Sequence, residues 1–124
     1  MIVTVRVLGA RELAARWLRK VATLHAEIEV DLETNAQRLV REIQARAPYR
    51  TGRYRASWTV ERGRDTRVVG SGEPYGRRLE YGFVGVDALG RNYSQAPQPH
   101  VNPAADTVEG PLVSDLAKTA VRGL

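Results

Sequence analysis

Residues 10–48 read ARELAARWLRKVATLHAEIEVDLETNAQRLVREIQARAP, and neither Gly nor Pro interrupts them before Pro48. Leu13, Trp17, Val21, Leu24 and Ile28 recur at helical spacing, and Leu32, Ala36, Leu39, Val40, Ile43 and Ala47 form a second stripe of the same kind. The stretch is either one long helix or two helices that meet near residues 25–31. There the β-branched Ile28 and Val30, and a capping residue at Asp31, mark the expected bend. Pro48 ends the helix, because its ring disfavours helical backbone in the residue before it.

Upstream, residues 2–8 (IVTVRVL) are dominated by β-branched residues and are followed by Gly9, which predicts a strand. Downstream, PYRTGRYR (48–55) reads as a turn around Gly52. Ala56–Val60 and Thr66–Val69 read as two strands joined through ERGRD (61–65). The segment PYGRRLEYGF (74–83) fits either a short helical turn or an irregular strand. Residues 83–102, rich in Gly, Asn, Gln and Pro, read as a long loop. Residues 103–124 form a C-terminal helical segment anchored by Val108, Leu112, Leu116 and Val121, with Gly110–Pro111 expected to kink or divide it. The order predicts an α+β fold, a small and mainly antiparallel sheet with a long N-terminal helix and a C-terminal helix packed on it.

At 124 residues the chain fits a single domain spanning 1–124. A domain of this size hides roughly two-thirds of its unfolded surface and needs no staple. It has no cysteine, which excludes disulfides, thiolate nucleophiles and Cys-based zinc sites. The opening MIVTVRVLGA lacks the basic start and unbroken apolar stretch of a signal peptide, and no apolar run reaches the ~18 residues of a membrane span, so no membrane partner is expected. The net charge of +5 is carried by arginine, Lys20 and Lys118 being the only lysines. Such an excess fits an anionic partner or a GC-rich coding genome in which arginine replaces lysine; the spread of the arginines favours the second.

Catalysis finds little to work with. There is no G-x-S-x-G, and Ser71 between Gly70 and Gly72 reads as a turn. His25 and Glu29 are four apart, but the other histidine is the distant His100, so no zincin-type pair exists. Glu27, Glu29, Asp31 and Glu33 read as a solvated helix face. No cofactor or metal is expected. Between Arg41 and Arg78 ten arginines face four acidic residues, interleaved with Tyr49, Tyr54, Trp58 and Tyr75. That composition suits nucleic acid, and it equally suits a protein–protein interface; without a recognition-helix, zinc-finger or RNA-binding sheet signature the interface reading is favoured.

Three blocks carry a resemblance. Ala47–Ser57 (APYRTGRYRAS) resembles an A-P-x-x-T-G-x-L-R-x-S segment, Pro74–Gly82 (PYGRRLEYG) a P-Y-A-x-x-x-E-[FY]-G block, and Pro99–Ala104 (PHVNPA) a P-F-[LI]-x-P-A segment before a C-terminal helix. All belong to the tailed-bacteriophage head–tail joining, tail-completion or minor tail component proteins. In this chain Tyr54 replaces the usual leucine, Gly76 the usual alanine and His100 the usual aromatic. The resemblance implies a non-enzymatic virion protein, made in the host cytoplasm and built into the neck. There it would form a ring, hexameric by first choice and dodecameric by second, that completes the tail and meets the head connector. Its partners would be other copies of itself, neighbouring neck and tail-tube proteins, and DNA passing through the lumen without specific binding. The expected assembly residues are Arg50, Thr51, Gly52, Arg53, Tyr54, Arg55, Trp58, Tyr75, Arg78, Glu80 and Tyr81, with the 83–99 segment pairing with neighbours. Arg55 and Ser57 are placed to bond backbone at the helix-to-sheet corner, and Glu80 to pair with Arg53 or Arg55. A tail terminator, a head-closing stopper, or a nucleic-acid-binding module using Arg41–Arg78 are the alternatives.

Overall fold

The computed structural model describes residues 10–48, 52–86 and 88–122; the strand expected over 2–8, and Tyr49, Arg50 and Thr51 of the 48–55 turn, lie outside them. Helix α1 spans Ala10–Arg46 as one unbroken element of 37 residues, about 55 Å at 1.5 Å per residue. The bend expected at 25–31 does not divide it. Two β-branched residues cost a few tenths of a kcal/mol each in propensity, and packing along the helix outweighs that. Ala47 still donates its N–H to the Ile43 carbonyl at 2.7 Å before Pro48 stops the ladder.

The two halves of α1 do different things. Ala36, Val40, Ile43 and Ala47 are buried and form the core with Tyr54, Ala104 and Val108. Trp17, Leu18 and Val21 are exposed. Helix α4 (Val101–Arg122) packs on the C-terminal half of α1. It starts two residues before the expected position, and Gly110–Pro111 neither ends nor divides it. Pro111 and Thr107 are both exposed, so the helical hydrogen bond that proline removes is lost on the solvent side. Val108 and the buried Thr119 hold the helix on either side of it. A polar clasp fixes the pair. Asn35, 2 % exposed, donates to the Asp31 carbonyl and to Asp115, each at 2.9 Å, while Thr119 donates to the Asp31 carboxylate.

Beyond α1 a short helix α2 (Arg53–Ala56) precedes strand β1 (Trp58–Gly63), so the first strand starts at Trp58 rather than Ala56. It pairs antiparallel with β2 (Thr66–Ser71), in register from Trp58↔Ser71 to Gly63↔Thr66. The segment left open between helix and strand is helix α3 (Gly76–Tyr81). The long loop expected over 83–102 is not structureless: it holds a second hairpin, β3 (Phe83–Val86) with β4 (Asn92–Gln95). Its short strands carry Gly, Asn, Ser and Gln, which hid them from a pattern of apolar alternation. The result is two separate two-stranded antiparallel sheets with α1 and α4 as the scaffold.

The β1–β2 hairpin is tied to the middle of α1 by ion pairs, on the face that also carries half-buried Trp58, Val60 and Val69. Arg67, its side chain only 10 % exposed, reaches Glu29 at 2.6 Å and Glu33 at 2.8 Å. Arg62 adds a fork onto Glu33, with Nε 2.9 and 3.0 Å from the two oxygens. The Asp65 N–H, at a φ of 56° that Asp tolerates in a tight turn, donates to Glu29 at 2.6 Å. Thus the acidic face of α1, expected to be solvated, is the seat of the hairpin. The hydrogen bonds from Arg62 and Arg67 pull Glu33 from an ordinary 4.5 down to about 2. A depressed carboxylate stabilises the fold above its unfolded value and loses that contribution as pH falls through its folded one. Acid titration followed by circular dichroism should therefore show stability draining away between pH 4.5 and about 2. The drain should be smaller in Arg67→Gln, which already lacks the clamp.

Candidate functional site

Gly52, at φ 81°, opens α2 and turns the chain back toward the body. Arg55 then donates to the Ala47 carbonyl at 2.9 Å, tying the corner to the end of α1, and Ser57 donates to the Tyr54 carbonyl, as the sequence indicates. The Ser57 and Ser71 hydroxyls lie 2.6 Å apart and close the base of the β1–β2 hairpin.

This corner delivers Tyr54 into the interior. Its ring meets Trp58 edge-on at 5.8 Å, Tyr75 at 5.5 Å and His100 edge-on at 5.4 Å between centroids. The Tyr54 hydroxyl lies 2.6 Å from His100 Nε2. His100 is fully buried, and its Nδ1 faces two acceptors, the Gln98 carbonyl at 2.7 Å and Glu80 at 3.1 Å. Nδ1 therefore carries a proton, and Nε2 shares a hydrogen bond with the tyrosine hydroxyl. Glu80, 4 % exposed, completes the cluster. Its two oxygens accept from the backbone N–H groups of His100 at 2.7 Å, Val101 at 2.9 Å and Asn102 at 2.9 Å, which are the unpaired donors at the start of α4.

The expected pairing of Glu80 with Arg53 or Arg55 is corrected here. Among the described residues no ion pair joins Glu80 to an arginine; Arg53 pairs with Glu73 at 2.8 Å, and Glu80 caps α4. Helix N-termini carry partial positive charge and ready donors, so a carboxylate there needs no guanidinium. Burial pushes the Glu80 carboxyl up, but the N–H groups of Asn102, Val101 and His100, with the His100 ring, outweigh burial and hold it below the ordinary carboxylate value. Burial, then the charges of Glu80 and Tyr75, pushes the Tyr54 hydroxyl up to about 12. The Tyr54–His100 contact, with no exposed surface on the histidine, clamps together elements 46 positions apart.

Of the other expected site residues, Arg50 and Thr51 lie outside the described residues. Gly52, Arg53, Tyr54, Arg55, Trp58, Tyr75 and Glu80 gather around this junction. Arg78 leaves it to stack on the Phe83 ring at 4.0 Å, and Tyr81 is 64 % exposed, accepting from the Asn102 amide at 3.3 Å. The residue that sequence reasoning undervalued is His100. A lone histidine in a Pro-rich stretch carries no chemical signal; its partner Tyr54 is 46 positions away.

The first two sequence blocks thus meet in space. A family model described as "Bacteriophage HK97-gp10, putative tail-component" matches residues 14–82. The chain belongs to this family. The match runs from the first helix through both blocks to Gly82 and leaves the α4 junction outside it. No curated protein and no solved structure matches the chain. As a phage tail component it is expected in the virion. Gly82, which ends the match, sits at φ 78°, and a Cβ there would lie 2.8 Å from the Gln95 carbonyl oxygen.

The three departures from the resembled motifs form one physical set. A Cβ on Gly76 would lie 3.1 Å from the Tyr54 hydroxyl and 3.3 Å from its ring, so any larger residue there must push the tyrosine aside by a few tenths of an ångström. The same buried hydroxyl needs a partner, and His100 supplies it. Tyr54→Leu, Gly76→Ala and His100→Phe should each destabilise the protein. The triple variant should cost less than the sum of the three singles by at least about 1 kcal/mol in urea denaturation, because contacting residues couple. Glu80→Gln keeps one acceptor and loses the charge; it should cost roughly 2–4 kcal/mol by the same measurement, the penalty for leaving buried donors unpaired.

Proposed function

We propose that this tail component is a structural protein of the phage neck that forms a closed ring, completes the tail end and joins it to the head connector. The observation that carries the reading is the β3–β4 hairpin. Its main contacts are within itself, and it exposes Val84, Val86 and Leu89 at 82 %, 62 % and 76 %. An isolated two-stranded ribbon is marginal in water and gains stability from a third strand or an apolar surface. Among the described residues its strands pair only with each other, which leaves each an edge that a neighbour's strand can join. A cleft between the hairpin and the corner, lined by Tyr54, Tyr75, Arg78 and Tyr93, offers such a neighbour aromatic and guanidinium contacts. In a closed ring each subunit presents two different surfaces, and the hairpin supplies one. Six copies are favoured, twelve are the next choice, and DNA passes through the lumen unread.

A tail terminator or a head-closing stopper would use the same surfaces. The nucleic-acid module based on Arg41–Arg78 is disfavoured by the engagement of that stretch: Arg46 with Glu42, Arg53 with Glu73, Arg62 and Arg67 with Glu29 and Glu33, and Arg78 on Phe83. An enzyme is disfavoured because the most polar buried cluster is sealed and fully used by the fold.

Phage produced from a genome with an early stop codon in this gene should give filled heads and separate tails by electron microscopy. The tail-length distribution would separate a terminator from a connector. Supplying the intact protein from a plasmid should restore joined particles, and supplying Val84→Asp/Val86→Asp should not. Infectious, normally joined particles without the protein would refute the neck assignment.

A further inference from the structure

The positive charge that the sequence concentrates between Arg41 and Arg78 is largely spent on the fold. A second cationic group stands at the other end of the molecule. Arg16, Arg19 and Lys20 lie on one face of α1 together with Thr23 and Glu27, since positions three and four apart share a helix face. The last turn of α4 brings Arg122 to the same place, and these side chains line a groove between the two helices. Arg122 is anchored there by donating to Thr119 at 3.0 Å, and Thr119 is in turn bonded to Asp31 of α1. Arg16, Arg19, Lys20 and Arg122 are exposed, and among the described residues none makes an ion pair. Glu27 is the one acidic side chain in the lining.

The composition of this groove selects its ligand. Leu24 is the only apolar side chain among its lining residues. Trp17, whose ring centroid lies 5.9 Å from Lys20 Nζ, borders this face without lining the groove, and neither Leu18 nor Val21 lines it. An anionic membrane surface would call for apolar side chains on the face that meets it, and a protein partner for an aromatic or aliphatic anchor. A chain of phosphates asks for neither. It asks for several cations at short intervals, and Arg16 and Lys20 are one turn apart, about 6 Å along the axis. The α1 segment that carries them also runs past the end of α4, so a rod-shaped ligand can lie across it.

We infer that the groove between the N-terminal half of α1 and the C-terminal end of α4 is a contact for the phosphate backbone of duplex DNA, made by Arg16, Arg19, Lys20 and Arg122. The contact is non-specific and salt-labile. It does not depend on ring formation, although in a ring it would face the passing DNA.

The test is fluorescence anisotropy of a labelled random duplex of about 25 base pairs with the full chain. Four phosphate contacts predict an affinity that falls about 100-fold from 50 to 200 mM salt. Arg16→Gln/Arg19→Gln/Lys20→Gln, whose helicity is checked by circular dichroism, should bind weakly and lose only about 4-fold over the same range, the dependence of a single contact. Arg41→Gln/Arg77→Gln, which removes two exposed arginines away from the groove, should retain the parent dependence. Three results would overturn the inference: no binding of the duplex at 50 mM salt, an unchanged salt dependence in the triple variant, or tighter association with phosphatidylglycerol vesicles than with the duplex at equal salt. Any of them would leave the particle phenotype, and so the neck reading, untouched.

Discussion

The Glu80 carboxylate at the start of α4 is the constraint on which the described structure turns. A carboxylate with so little exposed surface is costly unless its charge is met, and three backbone N–H groups meet it. The same contact ends the chain's freedom in two places, because Glu80 belongs to α3 and its donors to α4. His100 extends the contact to Tyr54, and Arg55 of the same short helix ties Tyr54's backbone to the end of α1. Elements from three separated parts of the chain are thereby held at one point, beside the ring contacts of Tyr54 with Trp58, Tyr75 and His100.

That point also roots the projecting hairpin. The chain leaves the junction at Gly82, whose N–H donates to the Arg78 carbonyl at 2.8 Å, and returns at Gln98, whose N–H donates to the Leu79 carbonyl at 2.7 Å. Both ends of the ribbon are fastened to α3 within a few residues of Glu80. The hairpin is therefore fixed at its base, and among the described residues its strands pair only with each other. At the opposite end of α1, Trp17, Leu18 and Val21 are uncovered.

Charge follows the same division of labour. Where elements meet, arginine is neutralised: Arg67 lies between Glu29 and Glu33, and Arg38 bonds the Asn35 amide oxygen at 2.7 Å beside Asp115. Where an element runs beyond the body, as α1 does over its first turns, the cations remain exposed. The count of arginines in a window is thus a poor guide to the charge that a ligand would meet.

The helical stretch before Pro48, the β1–β2 hairpin and the α+β class were legible in the sequence because each rests on local pattern: helical periodicity from Ala10 to Ala47, Pro48 as a stop, and β-branched runs about Gly63 and Asp65; that the helix runs unbroken through residues 25–31 was not. The corner at Arg55 and Ser57 was legible for the same reason, its partners lying within eight positions. The second hairpin was hidden, since Asn92, Ser94 and Gly85 give no apolar alternation and backbone pairing alone defines it. The partner of Glu80 was decided only by the tertiary structure. An acidic residue among arginines suggests an ion pair by proximity along the chain, whereas the α4 N-terminus arrives from 20 residues further on and offers three oriented donors at once. The sequence by itself determined which segments form elements, because propensity and periodicity act over a few residues. Which buried polar groups satisfy one another, and hence where the α4 junction and the cationic groove lie, is set by long-range contacts that no local pattern encodes.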